Sequence, residues 1–145
     1  MHIAIVNGPN LNLLGTRETD IYGGQTFDDF FQELQKTFPE IKFYYYQSNL
    51  EGELINNLHD CRGKADGIIF NGAGYTHTSI SIADAIAAIQ IPTIEVHISN
   101  IYVREEFRKT SLTASKCIGC ITGLGLKGYA LAAKYLQETL SPKTT

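Results

Sequence analysis

GIIFNGAGYTHTSISIADAIAAIQIPTIEVH, residues 67–97, is the stretch that decides the fold. Gly67 to Phe70 is a short apolar strand, NGAGYTHTS a loop, Ile80 to Ile89 a helix, and Pro92 to His97 another strand. A helix between two strands makes a crossover, and a crossover sets its strands parallel. The same alternation continues toward both ends. His2 to Val6 reads as the first strand. Thr26 can cap a helix whose residues Phe27, Phe30, Phe31, Leu34 and Phe38 form one stripe, with Asp28 and Asp29 in the first turn and Pro39 ending it. Ile41 to Gln47, β-branched and aromatic, is the second strand. Ser48 and Glu51 have capping-box spacing before a helix with Leu50, Leu54, Leu58 and Cys61 inward. Residues 100 to 109 read as a polar turn or short helix, and Lys116 to Ile121 as a fifth strand. Leu126 to Leu140 is the last helix, with Tyr129, Ala133, Leu136 and Leu140 inward, and residues 141–145 are expected to fray.

Five strands joined by connections too long for hairpins predict an α/β protein of the flavodoxin-like, doubly wound class. Its five-stranded parallel sheet should carry helices on both faces, in a single domain spanning 1–145. Hydrophobic content of 43% with 19% charged residues is ordinary for a globular domain. A net charge of -3 with four arginines gives no basic footprint for nucleic acid. The chain has no apolar run of about 18 residues and no signal-peptide pattern, so no membrane partner is expected and the expected location is cytoplasmic. Three cysteines, an odd number, argue against a disulfide framework. Cys117 and Cys120 in CIGCIT would point to opposite faces of a buried strand, so core packing is the reading for all three.

Ligands of doubly wound sheets bind outside the carboxyl ends of the strands. The loops that should meet there are NGPNLNLLGTRETDIYGG (7–24), NGAGYTHTS (71–79) and the segment after His97. The first is long, which suits either a functional loop or a surface omega-loop. It holds Arg17 and Tyr22, and an arginine near a phenol favours the phenolate. Glu95 and His97 lie two apart on one strand face. A carboxylate there favours a protonated ring in one orientation, as a general acid needs; a satisfied structural ion pair is the other reading. After Ile98 and Ser99, free backbone N–H groups at a strand-to-helix junction can hold a carboxylate or phosphate. Arg104 and Arg108 then point to an anionic substrate, although Arg104 also reads as a solvated residue beside Glu105 and Glu106. Asn71 and His77 flank a glycine-rich loop that lets backbone approach a ligand. Gly123 to Gly128 spells G-x-G-x-x-G, but no later strand supplies the acidic residue of a dinucleotide site.

The motifs NGPNLNLLGTRE and IYGG, QSNLEGELI, NGAGYTHTS, IEVHISN and REEFR, in this order and spacing, resemble type II 3-dehydroquinate dehydratase from about Ile3 to Leu140. The resemblance implies conversion of the small molecule 3-dehydroquinate to 3-dehydroshikimate and water, with no cofactor, metal or Schiff-base lysine. It implies Tyr22 as the base for the C2 proton, Arg17 as the stabiliser of its phenolate, and Asn10 as a holder of the enolate. His97, oriented by Glu95, would protonate the departing C1 hydroxyl. The backbone of Ile98 and Ser99 would bind the substrate carboxylate, and Asn71, His77 and Arg108 the ring hydroxyls. Asp84 matches the position that supports a neighbouring subunit's site in a homo-oligomer, a dodecamer built from trimers. Ala83 departs from the arginine that often precedes this aspartate. Two other readings are a zinc hydrolase using His77, His97 and Glu95, which leaves Arg17 and Tyr22 idle, and a phospho-acceptor signalling module. The latter needs an acidic cluster where this chain has Asn7-Gly8-Pro9-Asn10.

Overall fold

The computed structural model describes residues 1–16 and 24–140. Its strands are β1 (His2–Asn7), β2 (Lys42–Gln47), β3 (Gly67–Asn71), β4 (Thr93–His97) and β5 (Gly119–Thr122). They form one parallel sheet in the order β2-β1-β3-β4-β5. The helices are α1 (Phe27–Thr37), α2 (Glu51–Asp60), α3 (Ile80–Ile89) and α4 (Lys127–Thr139), with short 3-10 turns between elements. This is the flavodoxin-like doubly wound order expected from the alternation.

The period-2 geometry of β1 sorts the core into two layers. Ile3 and Ile5 face α1 and α4, where they meet Phe27, Phe30, Leu34, Tyr129 and Leu136. Ala4 and Val6 face α2 and α3, where they meet Leu54, Leu58, Ile82 and Ile86. All four β1 residues are wholly buried, as a central parallel strand covered on both sides requires. Thr26 caps α1 by accepting the Asp29 N–H at 3.2 Å, and Ser79 caps α3 by accepting that of Ile82 at 2.9 Å.

Three local expectations need correction. Ser48 and Glu51 do not form a capping box, because α2 starts at Glu51 itself; the Ser48 hydroxyl binds Glu53 and accepts the Leu50 N–H. Leu50 then sits at the N-cap, outside the helical stripe, and is exposed. The fifth strand is shorter than expected and half-exposed, since β5 pairs only with β4 at the sheet edge. Cys117 therefore lies before the strand and Cys120 is exposed, which leaves Cys61 as the one fully buried cysteine of the three. None of the described helices is long and apolar enough to cross a membrane.

The loops after β1 and β3 touch backbone to backbone. The Gly8 N–H donates to Asn71 O at 2.7 Å, and a Cβ on Gly8 would lie 2.5 Å from the Gly72 carbonyl oxygen. Backbone cannot swing aside as a flexible side chain can, so this contact demands glycine. Gly8→Ala is expected to destabilise the fold by about 1–3 kcal/mol through overpacking, read by chemical denaturation.

Candidate active site

The loops following β1, β3 and β4 converge at the carboxyl edge of the sheet, beside the point where the strand order reverses between β1 and β3. They enclose a pocket whose wall includes Asn10 from the first loop and Asn71 and His77 from the second. The third contributes His97, Ile98, Ser99, Arg104 and Arg108.

Glu95 and His97 share a face of β4, and His97 Nε2 lies 2.9 Å from Glu95 Oε2. A carboxylate with no solvent exposure must find donors within the protein. Ser111 Oγ donates to Oε2 at 2.9 Å, the Thr113 hydroxyl donates to Oε1, and the Cys120 thiol approaches Oε2 at 3.7 Å. Burial alone would raise the Glu95 pKa. The hydrogen bonds from His97, Thr113 and Ser111 outweigh it and hold the group below its ordinary value of 4.5. His97 is thus held through one ring nitrogen, and its ring lines the pocket.

His77 stacks beside it, with ring centroids 6.2 Å apart. Its Nδ1 lies 2.8 Å from the Thr110 carbonyl oxygen, which can only accept, so Nδ1 carries the proton. Burial, chiefly, lowers the His77 pKa, and the neighbouring His97 and Arg108 push the same way. In the neutral ring Nε2 is then an acceptor.

The wall at Ile98 and Ser99 presents donors. The carbonyls of His97 and Ile98 accept from Gly123 N–H at 3.1 Å and Gly125 N–H at 3.0 Å. In a trans peptide the N–H points opposite to the C=O, and the chain has no cis bond among the described residues. The N–H groups of Ile98 and Ser99 therefore both point away from the 123–125 turn, without a partner among the described residues. Two successive amides aimed the same way make an anion-binding concavity. Arg104 and Arg108 border it. Arg104 donates to Ser99 Oγ at 3.2 Å, which ties it to the pocket and sets aside the reading of a merely solvated residue.

Two lining residues have positive φ without being glycine: Asn10 at 70° and Ala73 at 50°. Such strain persists only where surroundings hold it. The Asn10 N–H donates to Asn49 Oδ1 at 3.0 Å, and the Ala73 N–H to Asn71 Oδ1 at 3.1 Å.

Seven of the expected site residues thus line one pocket, with Glu95 directly behind it. Asp84 does not join them; it is exposed on α3. Arg17 and Tyr22 lie outside the described residues. Ser111, Thr113, Asn7 and the hydroxyl of Tyr129 support the site without having been identified from sequence.

Among the described residues His77 brings no ligand atom into a cluster with His97 and Glu95, so that zinc set is not assembled. Glu95, His97 and Cys120 do place ligand atoms within 4.8 Å of one another. Their chemistry suits a hydrogen-bonded carboxylate better: Glu95 is already satisfied, and burial with the nearby carboxylate pushes the Cys120 thiol up to about 11.

The profile of the family described as dehydroquinase class II matches residues 1–137. The chain belongs to that family. A 3-dehydroquinate dehydratase of Fusobacterium nucleatum is 54% identical over 144 residues, covering 95% of this chain and 97% of the relative. The crystal structure of a type II dehydroquinase from Butyrivibrio crossotus superposes with a TM-score of 0.89 at 44% identity, covering 94% of this chain and 97% of that one. One from Propionibacterium acnes gives 0.90 at 40% identity, covering 94% and 96%.

The depressed Glu95 pKa has a sign that can be tested. Its contribution to stability is present above 4.5 and is lost as pH falls from 4.5 through the lower folded value. Glu95→Gln is expected to cost about 2 kcal/mol at pH 7 and to flatten the fall in stability below pH 4.5. Urea titrations across that range would show it; parallel curves for the two proteins would mean the carboxylate is not stabilised by its neighbours.

Proposed function

We propose that this pocket dehydrates 3-dehydroquinate to 3-dehydroshikimate through an enolate, as a carbon–oxygen lyase of the shikimate route to aromatic amino acids. The observation that supports it most is the buried Glu95–His97 pair opening onto a pocket with two aligned amides and two arginines. Elimination beside a ketone needs a base on one side and an acid for a poor leaving group.

Tyr22, as phenolate beside Arg17, removes the C2 proton. The electron pair moves onto the ketone oxygen, and Asn10 helps hold the resulting enolate. The enolate then collapses: the C1–C2 double bond forms, the C1–O bond breaks, and His97 donates a proton to the departing hydroxyl to give water. The proton gained by Tyr22 returns to His97 through solvent to close the cycle. Glu95 keeps the imidazole oriented and offsets its charge. The Ile98 and Ser99 amides hold the substrate carboxylate. The neutral His77 accepts from a ring hydroxyl, with Asn71 and Arg108 as donors to the others. Closure of the loop bearing Arg17 and Tyr22 would exclude water while the enolate exists. The reaction needs no metal, cofactor or lysine adduct.

The working form is a homo-oligomer in the cytoplasm, a dodecamer built from four trimers, in which Asp84 reaches an adjacent subunit's site. Its exposure outside its own pocket supports this, as does the apolar remainder of α3, where Ile80, Ala87 and Ala88 face outward. The rest of the apolar surface of α3, including Ile82 and Ile86, is covered inside the chain by Leu54 and Leu58 of α2. Ala83 is buried and packs inward, which removes an arginine as a subunit contact at that position.

An assay for dehydroshikimate formation tests the reading. Tyr22→Phe and His97→Ala should each lower turnover by about 100-fold or more while leaving the fold intact. Substantial turnover in either would assign the proton transfers elsewhere. Sharing of sites is tested by mixing Tyr22→Phe and Asp84→Ala subunits under exchange conditions. Activity should partly return, and no recovery in proven mixed oligomers would place Asp84 outside any neighbour's site.

A further inference from the structure

Behind the pocket, four polar side chains form a chain of hydrogen bonds inside the apolar core. Asn71 Nδ2 donates to the Tyr129 hydroxyl at 2.8 Å, and that hydroxyl donates to Asn7 Oδ1 at 2.8 Å. Asn7 Nδ2 in turn points to the Tyr45 hydroxyl at 3.5 Å. Tyr129 has no solvent exposure and stands on α4, 58 residues from Asn71 in sequence. Its ring packs edge-on against Phe27, with centroids 5.1 Å apart. The ring is thus ordinary core, but the hydroxyl sits where it can act on the pocket.

The direction of each bond carries information. The Tyr129 proton goes to Asn7, so its oxygen is left as an acceptor and can take only an N–H from Asn71. That fixes the sense of the Asn71 amide. Its Oδ1 accordingly faces the Ala73 N–H at 3.1 Å, at the positive-φ residue that opens the loop bearing His77. One N–H of Asn71 remains, and Asn71 lines the pocket. An amide free to rotate would offer an oxygen or an N–H with similar ease. This one is locked to offer an N–H. Burial keeps the phenol protonated, so the lock does not titrate near neutral pH.

We propose that Tyr129 is a positioning residue for substrate recognition: through its hydroxyl it sets Asn71 as a hydrogen-bond donor to a substrate oxygen and steadies the strained Ala73 turn. The proposal rests on the dehydratase reading for the substrate. It adds that selectivity at this wall favours an acceptor oxygen on the ligand over a lone donor.

The test is a double-mutant cycle on kcat/KM with Tyr129→Phe and Asn71→Ala, run once dehydratase activity of the parent has been established. Phenylalanine keeps the aromatic packing and removes only the hydroxyl. Tyr129→Phe should raise KM about tenfold, the worth of one well-aligned hydrogen bond, with kcat changed less than about threefold. The limbs of the pH profile should not move. In the Asn71→Ala background the same substitution should add almost nothing, because it acts through that amide. Full multiplication of the two effects, or an unchanged KM, overturns the proposal. A fall in kcat that tracks thermal stability overturns it too, since the hydroxyl would then matter only to the fold. Asn7→Leu, which removes the acceptor and leaves the tyrosine intact, gives a second route to the same cycle should Tyr129→Phe fold poorly. An inactive parent would instead refute the dehydratase reading itself.

Discussion

A fully buried carboxylate on a central parallel strand has to be answered by donors, and in this protein Glu95 organises the chain around that demand. On the same strand face His97 supplies a donor, while the Thr93 hydroxyl is spent on the Ile91 carbonyl. Two hydroxyls arrive from the 111–113 segment, and the Cys120 thiol approaches from β5. That segment is then pinned to the loop after β3: the Leu112 N–H donates to Thr76 O at 2.8 Å, and the Thr110 carbonyl holds His77. One charge therefore couples three separate stretches and fixes both pocket histidines. A site assembled in this way has little freedom to drift.

Backbone strain marks the same region. Asn10 and Ala73, the two lining residues in the left-handed region, belong to the loops after β1 and β3, and these loops are in contact through Gly8 and Gly72. Such a conformation costs on the order of 1 kcal/mol or more for a residue with a Cβ, and it survives because hydrogen bonds to the Asn49 and Asn71 side chains oppose relaxation. The strand edge supplies rigidity, and the loops supply shape.

Much of this was legible in the sequence, and the failures have physical causes. The α1 stripe and the bounds of α3 follow from a 3.6-residue period and a serine cap, both local properties. The parallel sheet with helices on both faces follows from the alternation and from connections too long for hairpins. CIGCIT misled because apolar composition does not distinguish a central strand from an edge strand; only pairing on one side or two decides that. The Ser48 box failed because its spacing fitted a helix start that the chain places two residues later, with Leu50 as the N-cap. Of the site, His97 and Glu95 could be read from their separation of two. Ser111 and Thr113 could not, since they stand 16 and 18 residues from the carboxylate they serve and share no motif with it. Tyr129 was legible as core, and a buried phenol always needs a partner for its hydroxyl. Which partner it finds depends on the packing of α4 against β1 and β3, which no local pattern encodes.

The pocket's chemistry is one-sided in a way that bears on its substrate. The Ile98 and Ser99 amides donate, guanidinium groups can only donate, and the Asn71 amide is turned so that its one remaining hydrogen donates. Against them stands one ring acceptor, the Nε2 of neutral His77. A chain with a net charge of -3 has thus gathered donors and two of its four arginines at one edge of its sheet. Such a surface repels another donor and welcomes oxygen, most of all oxygen that carries or gains negative charge. Fixed donors need no reorganisation when charge develops, and partial burial strengthens their effect. The arrangement is therefore matched less to a neutral polyol than to an oxygen-rich anion.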